Sequence, residues 1–293
     1  MKATDGVESV LHPTDFSEAS LTAFYHALKA ALLTKSRLTL LNVSDEGQPA
    51  WADFPGIRQT LERWQLLPPN SPRSAVAKLG VRAEKVVTRM PNPIKAVLGY
   101  LEHYPVDLIV LATSNRAGRV RWLGNSFSEP IARTAWQDTL FIPANSRGFI
   151  SAEDGSVHLK RVLIPIAQNP RAQPALEAAS RLVKRLDCKA GTFTLMHVGS
   201  PSSMPAIRCP EVTGWSWEKF AARGDIIESI ADAAKDLEAD LIVMATDGRN
   251  EFLDALRGSH SERVLRHAAA PLLTVPVGSL AATDPHLEYH EAN

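Results

Sequence analysis

The chain has 293 residues, 45% of them hydrophobic and 22% charged, and its 32 basic side chains balance its 32 acidic ones. That balance excludes the charge footprint of a general nucleic-acid or anionic-membrane binder. Two cysteines are too few for a disulfide framework, and no apolar run approaches membrane-spanning length. With no apolar signal core over residues 1–9, the expectation is a cytoplasmic protein with neither nucleic-acid nor membrane partners.

Taken in order, Ser9 to His12 is a short apolar strand, and Thr14-Asp15-Phe16-Ser17 turns into a helix with Ser17 at its N-cap. Ala19 to Thr34 has helical periodicity and Arg37 to Val43 is a second strand. The segment 44–80, with Trp51, Phe54 and Trp64, holds a helix and either covers a cleft or extends the core. Val81 to Thr88 is a third strand, Ile94 to His103 a helix, and Asp107 to Ala112 a continuous buried strand. A helix around Ser128 to Ala135 then precedes a fifth strand, Thr139 to Pro143.

The same series follows again. Arg161 to Ile166 is a strand, Gln173 to Leu186 a helix and Thr192 to Val198 a strand; Ser216 to Phe220 is the third strand, before a helix over Ile226 to Leu237. Asp240 to Ala245, a helix over Ser261 to His267 and Leu272 to Val277 complete it. The two series match in sequence as well. Val106-Asp107-Leu108-Ile109-Val110 reappears as Ala239-Asp240-Leu241-Ile242-Val243, an offset of 133 residues. Ser126-Phe127-Ser128-Glu129 and Leu140-Phe141-Ile142-Pro143 recur at that offset, whereas Val10-Leu11-His12-Pro13 recurs as Val162-Leu163-Ile164-Pro165 at 152. The second copy therefore lacks about nineteen residues, which fall between Val198 and Ser216.

Near-continuous apolar strands alternating with helices indicate parallel sheets covered on both faces. The expected fold is α/β, with two doubly wound, five-stranded parallel-sheet domains of Rossmann-like type in tandem. The division falls in the polar stretch 144–156, giving domains 1–150 and 151–293, the second with a polar tail from about 280.

Ligands of doubly wound sheets sit beyond the carboxyl ends of the strands. After the fourth strand of the second copy the chain reads Ala245-Thr246-Asp247-Gly248, then nine residues, then Gly258-Ser259. This resembles the nucleotide loop of ATP-binding universal stress proteins: Gly, two residues, Gly, nine residues, Gly, then Ser or Thr. Ser261-Glu262-Arg263-Val264-Leu265-Arg266-His267, Pro13-Thr14-Asp15 and Leu195-Met196-His197-Val198 are also similar to that family. The resemblance covers nearly the whole chain and implies a tandem member. It implies an internal pseudo-dimer through the fifth strands, Thr139 to Pro143 with Leu272 to Val277, and is compatible with a further homodimer.

In such a loop glycines admit close approach of backbone N–H groups to phosphate, and the following helix N-terminus favours an anion. The resemblance implies ligand contacts at Pro165, Val198, Ala245, Asp247, Gly248, Arg249, Gly258, Ser259 and His260 in the second copy. In the first it implies Asp15, Val43, Asn115 and Ser126, with Asp15 toward the nucleoside and the backbone of Val43 or Val198 reading the adenine edge. Both copies depart from the pattern. Ala245 replaces the first glycine and Ala167 stands where Asp is expected; the first copy has Ala112, Asn115 and Asn125 at the glycine positions. The alternative reading of Gly248 and Gly258 is that of ordinary strand-to-helix turns.

Other features have bland readings. Arg116, Arg119 and Arg121 read as a solvated surface, or as side-chain charge in place of missing backbone donors to a phosphate, and His286 and His290 belong to the polar tail. His12 and His197 are core or rim residues, Cys188 and Cys209 are inert thiols, and Trp215 and Trp217 pack on one strand face. No metal site is expected, magnesium entering only with nucleotide. No catalytic elbow, Walker loop or zinc motif is present. The leading expectation is a stress-associated binding or regulatory protein with a degenerate ATP site, best kept in the second half. The alternative is a nucleotide-independent scaffold for protein partners or another small ligand, and any turnover would be slow ATP hydrolysis.

Overall fold

The computed structural model describes residues 8–43, 54–88, 90, 93–113, 137–143, 146–246 and 270–277. The helices expected around 128–135 and 261–267 lie outside them. So do Trp51, the three arginines 116, 119 and 121, and the tail from 280 with His286 and His290.

The first half runs β1 (Ser9–Thr14), α1 (Glu18–Thr34), β2 (Arg37–Val43), α2 (Ile57–Arg63), α3 (Ala75–Lys78), β3 (Arg82–Thr88), α4 (Pro93–His103), β4 (Leu108–Thr113) and β5 (Asp138–Pro143). The second runs β6 (Arg161–Pro165), α5 (Gln173–Arg185), β7 (Gly191–Val198), a 3₁₀ turn at Pro201–Ser203, β8 (Trp215–Ala222), α6 (Ile226–Asp236), β9 (Leu241–Thr246) and β10 (Leu272–Pro276). All ten strands form one sheet in the order β3-β2-β1-β4-β5-β10-β9-β6-β7-β8. Every neighbour pair is parallel except β5 with β10, where Leu140 lies opposite Leu273 and Phe141 opposite Leu272 in an antiparallel pairing. Each half is thus a five-stranded, doubly wound parallel sheet, and the fifth strands pair as the resemblance implied.

The repeated Asp-Leu-Ile-Val has a local purpose. Asp107 Oδ2 accepts from the Glu8 N–H, the Ser9 N–H and the Ser9 hydroxyl (2.9, 2.9 and 2.8 Å). Asp240 Oδ2 accepts from the Lys160 and Arg161 N–H groups, both at 2.8 Å. In each half one carboxylate stitches the start of the first strand to the fourth, where ladder bonds run out. The helices cover the sheet with apolar faces: Ala23, Phe24, Ala27, Leu28 and Ala31 of α1 are fully buried, and α5 buries Ala175, Leu176, Ala179 and Val183. On this face one continuous core spans both halves; on the opposite face a second core joins Leu98 and Leu101 of α4 with Ile227 and Ile230 of α6.

The stretch between the halves is not a polar tether. Phe149 and Ile150 are buried, and Ile150 bridges Val157 in a short antiparallel turn. His26, fully buried on α1, donates from Nδ1 to Thr22 O (2.7 Å) and accepts at Nε2 from the Phe149 and Ile150 N–H groups (3.0 and 3.3 Å). Gly148 (φ +66°) lets the chain pass His26, since a Cβ there would lie 2.1 Å from its ring. Trp64, just after α2, is buried; its Nε1–H donates to Ala152 O (3.2 Å), and Phe54 packs edge-on to Phe24. Trp64 and Phe54 therefore extend the core against α1. The tryptophans of β8 pack as well: Phe193 lies between Trp215 and Trp217, with ring centroids 4.5 and 4.3 Å away.

Burial sets a pH dependence. It pushes His12 and His26 down from 6.5 to about 4 and pushes the enclosed Asp138 carboxyl up from 3.8 to about 6, Arg181 and Arg185 partly offsetting this. The histidine contribution is lost as pH falls from 6.5 toward 4; the aspartate contribution has the opposite sign, being lost as pH rises from about 4 through 6. Near pH 5 the unfolded chain holds two more imidazole protons and one fewer carboxyl proton. Stability should therefore rise with pH by about 1.4 kcal/mol per unit there. Thermal melts at pH 7, 6 and 5 should show a falling midpoint on acidification. Asp138→Asn should steepen the slope, and a midpoint that climbs as pH falls would contradict the assignment.

Candidate functional site

In the strand order 3-2-1-4-5 of each half, winding changes direction between the first and fourth strands. The crevice opens beyond the ends of β1 and β4 in the first half and of β6 and β9 in the second. Residues 114–136 and 247–269 follow β4 and β9 at these points. Asn115, Ser126, Asp247, Gly248, Arg249, Gly258, Ser259 and His260 consequently lie outside the described residues. The structure does place Asp15, Val43, Pro165, Val198 and Ala245, each at the carboxyl end of its strand or in the turn just beyond.

Asp15 leaves β1 at the first crevice. Its Oδ1 accepts from the Ser17 N–H (3.0 Å), the Ser17 hydroxyl (2.5 Å) and the Ser20 hydroxyl (2.7 Å). Ser17 occupies the N-cap position of α1, but its hydroxyl turns back to Asp15 and makes no cap bond. The carboxylate, one turn outside the helix, thus orders the helix entry through an Asx-type turn. Phe16 between them has φ +58°, and its ring packs 5.2 Å from Phe54. Beneath lies His12, fully buried, donating from Nδ1 to Val110 O (2.9 Å), while its Nε2 has no partner among the described residues.

At the end of β2, Asn42 Nδ2 donates to Thr14 O (2.9 Å), and its buried Oδ1 has no partner among the described residues. The corresponding residue of β7 is His197. Its Nδ1–H donates to Ile166 O (3.1 Å) and its Nε2 lies 2.9 Å from Ser203 Oγ in the 3₁₀ turn. Asn42 precedes Val43 and His197 precedes Val198, so each half uses the same position to clamp the end of its first strand to its second. Sequence reading missed this pairing for Asn42. The Asn-Val and His-Val dipeptides at matched places in the repeat were the available signal.

The second crevice is built differently. Pro165 ends β6, Ile166 is buried, and Ala167, Gln168 and Asn169 are exposed. Ala167 places only a methyl group where the first half has the Asp15 network. On the opposite side Ala245 is half-buried and Thr246 buried, and the Val277 N–H donates to Thr246 O (2.7 Å), anchoring the start of the glycine loop beside β10. The thiols are elsewhere: burial pushes Cys188 up to about 11 and raises Cys209 as well, so neither is a thiolate near neutrality.

The three hydrogen bonds at Asp15 make it a structural anchor of α1. Asp15→Ala should lower stability by about 1–2 kcal/mol, read as a lower urea midpoint with unchanged m-value. An unchanged midpoint would show that the network contributes nothing to the fold.

Comparisons with known proteins agree with this architecture. A universal stress protein from Archaeoglobus fulgidus DSM 4304 is 20% identical over 92% of this chain and 96% of its own, with a TM-score of 0.58. A functionally unknown protein from Pseudomonas aeruginosa PAO1 is 13% identical over 92% of each chain, with a TM-score of 0.55. At such identities the likeness concerns the fold. No match was found among curated proteins. Residues 6–143 and 211–276 match the universal stress protein family, well over half of the chain and parts of both halves; the chain belongs to the universal stress protein family.

Proposed function

We propose that this protein is a cytoplasmic, nucleotide-responsive binding protein made of two units, 1–150 and 151–293, whose adenine-nucleotide site survives in the second. The observation that carries this reading is the place of β9. It ends at Thr246 beside β6, at the change of winding, so the Gly248 and Gly258-Ser259 spacing begins where a doubly wound sheet binds phosphate. Backbone N–H groups of that loop and the Ser259 hydroxyl would hold the phosphates, with Val198 and Pro165 bordering the nucleoside. The exposed Ala167 leaves room there, but it also removes the carboxylate that would hold a ribose hydroxyl, so affinity should be modest. Magnesium would enter with the phosphates. In the first half the Asp15 carboxylate is committed to Ser17 and Ser20, and asparagines replace the loop glycines.

Calorimetric titration with ATP, together with mass spectrometry of small molecules released from the purified protein, tests the reading. Binding in the micromolar to millimolar range is expected, with loss of at least about tenfold in affinity in Gly258→Val. No released nucleotide and no heat at millimolar ATP would leave a nucleotide-independent scaffold as the function.

A further inference from the structure

Away from the carboxyl ends of the strands, α2, α3 and the amino end of β3 enclose a cleft of about 670 Å³, a size typical of small-molecule sites. Its floor is apolar, formed in part by the buried Ile57, Val76 and Val81. Four cations line it, Arg58, Arg73, Arg82 and Lys85, and no carboxylate does among the described residues. Arg58 is held in place, with Nε 3.4 Å from Glu62 and Nη1 donating to Ser71 O (3.1 Å). The Arg73 and Arg82 side chains make no hydrogen bond or ion pair among the described residues. Lys85 has its ammonium pushed below the ordinary lysine range by burial and by the neighbouring charge of Arg73. The Arg73 and Lys85 charges repel one another, and an anion bound beside Arg73 would relieve that repulsion.

The sheet edge adds backbone groups. The Arg82 N–H donates inward to Ser36 O (3.3 Å) in the ladder with β2. Alternation along a parallel strand then turns the backbone groups of Ala83 outward, at the edge lining the cleft. Side-chain cations and a sheet-edge donor over an apolar floor suit a ligand with one strongly anionic end and one apolar end. The second half has no equivalent, since β7 and β8 are joined only through the 3₁₀ turn and a loop.

We propose that this cleft binds a soluble phosphorylated metabolite carrying at least two negative charges, its phosphate groups between Arg73, Arg82 and Lys85 and its apolar part on Ile57, Val76 and Val81. The segment that makes the first copy longer than the second thereby builds a ligand site of its own, separate from the strand-end crevices.

Inorganic pyrophosphate is the probe. Titrated into the full chain, it should shift the amide resonances of Val81, Ala83 and Lys85, and calorimetry should give a binding constant that weakens as salt rises. The double variant Arg73→Gln/Arg82→Gln, at two exposed positions, should weaken binding by about tenfold or more, whereas Lys184→Gln on α5 should leave it unchanged. Shifts confined to residues beyond β4 and β9, or equal binding by the double variant, would overturn the proposal. So would silence toward pyrophosphate with a glutamate-rich peptide shifting residues 82–88, which would make β3 a peptide-docking edge.

Discussion

A parallel sheet cannot close on itself in five strands, and its last strand here is too apolar to be left at an edge. Leu140, Phe141 and Ile142 of β5 are buried, as are Leu272, Leu273 and Val275 of β10. Left unpaired, either strand would present a flat row of backbone donors and acceptors flanked by apolar side chains, a template for aggregation. Each satisfies the other through antiparallel pairing, and the Thr274 hydroxyl adds a bond across the seam to Thr139 O (3.3 Å). The free edges of the resulting sheet are β3 and β8, which carry charged residues such as Arg82, Glu84, Lys85, Glu218 and Lys219.

The seam decides how the rest is arranged. Because it brings α1 and α5 to one face and α4 and α6 to the other, both cores run through it from one half to the other. The chain between the halves is drawn into the same packing by His26, which offers one buried acceptor to two consecutive backbone donors. Antiparallel pairing also makes the strands of the two halves run in opposite directions. The carboxyl ends of their strands therefore point to opposite ends of the sheet, so Asp15 after β1 and Thr246 at the end of β9 lie at opposite ends.

The order of the strands was legible in the sequence because buried parallel strands are short unbroken apolar runs, and the repeat supplied the first, fourth and fifth of them twice. Trp215 and Trp217 were legible as packing residues for the same reason, since alternate positions of a strand share a face. The strand-end clamps were not. Whether Asn42 reaches Thr14 depends on the register between two strands with a helix between them, which local sequence does not encode. The stretch 144–156 reads as polar linker because its glycines and serines outnumber Phe149 and Ile150, yet those two residues are the ones that dock. Around the candidate site, the places of Asp15, Val43, Pro165, Val198 and Ala245 at strand ends were legible, whereas the hydrogen bonds of Asp15 to Ser17 and Ser20 were not, because they depend on how the chain turns into α1.

The central claim is that β5 and β10 join two sheets into one cooperative structure. Native-state hydrogen exchange tests it most directly. The amides of Leu140, Phe141 and Leu273 should exchange only through the same global opening that exposes Val110 at the centre of the first sheet and Val243 at the centre of the second. Faster exchange at the seam, with different opening free energies for Val110 and Val243, would show two independent domains that merely touch.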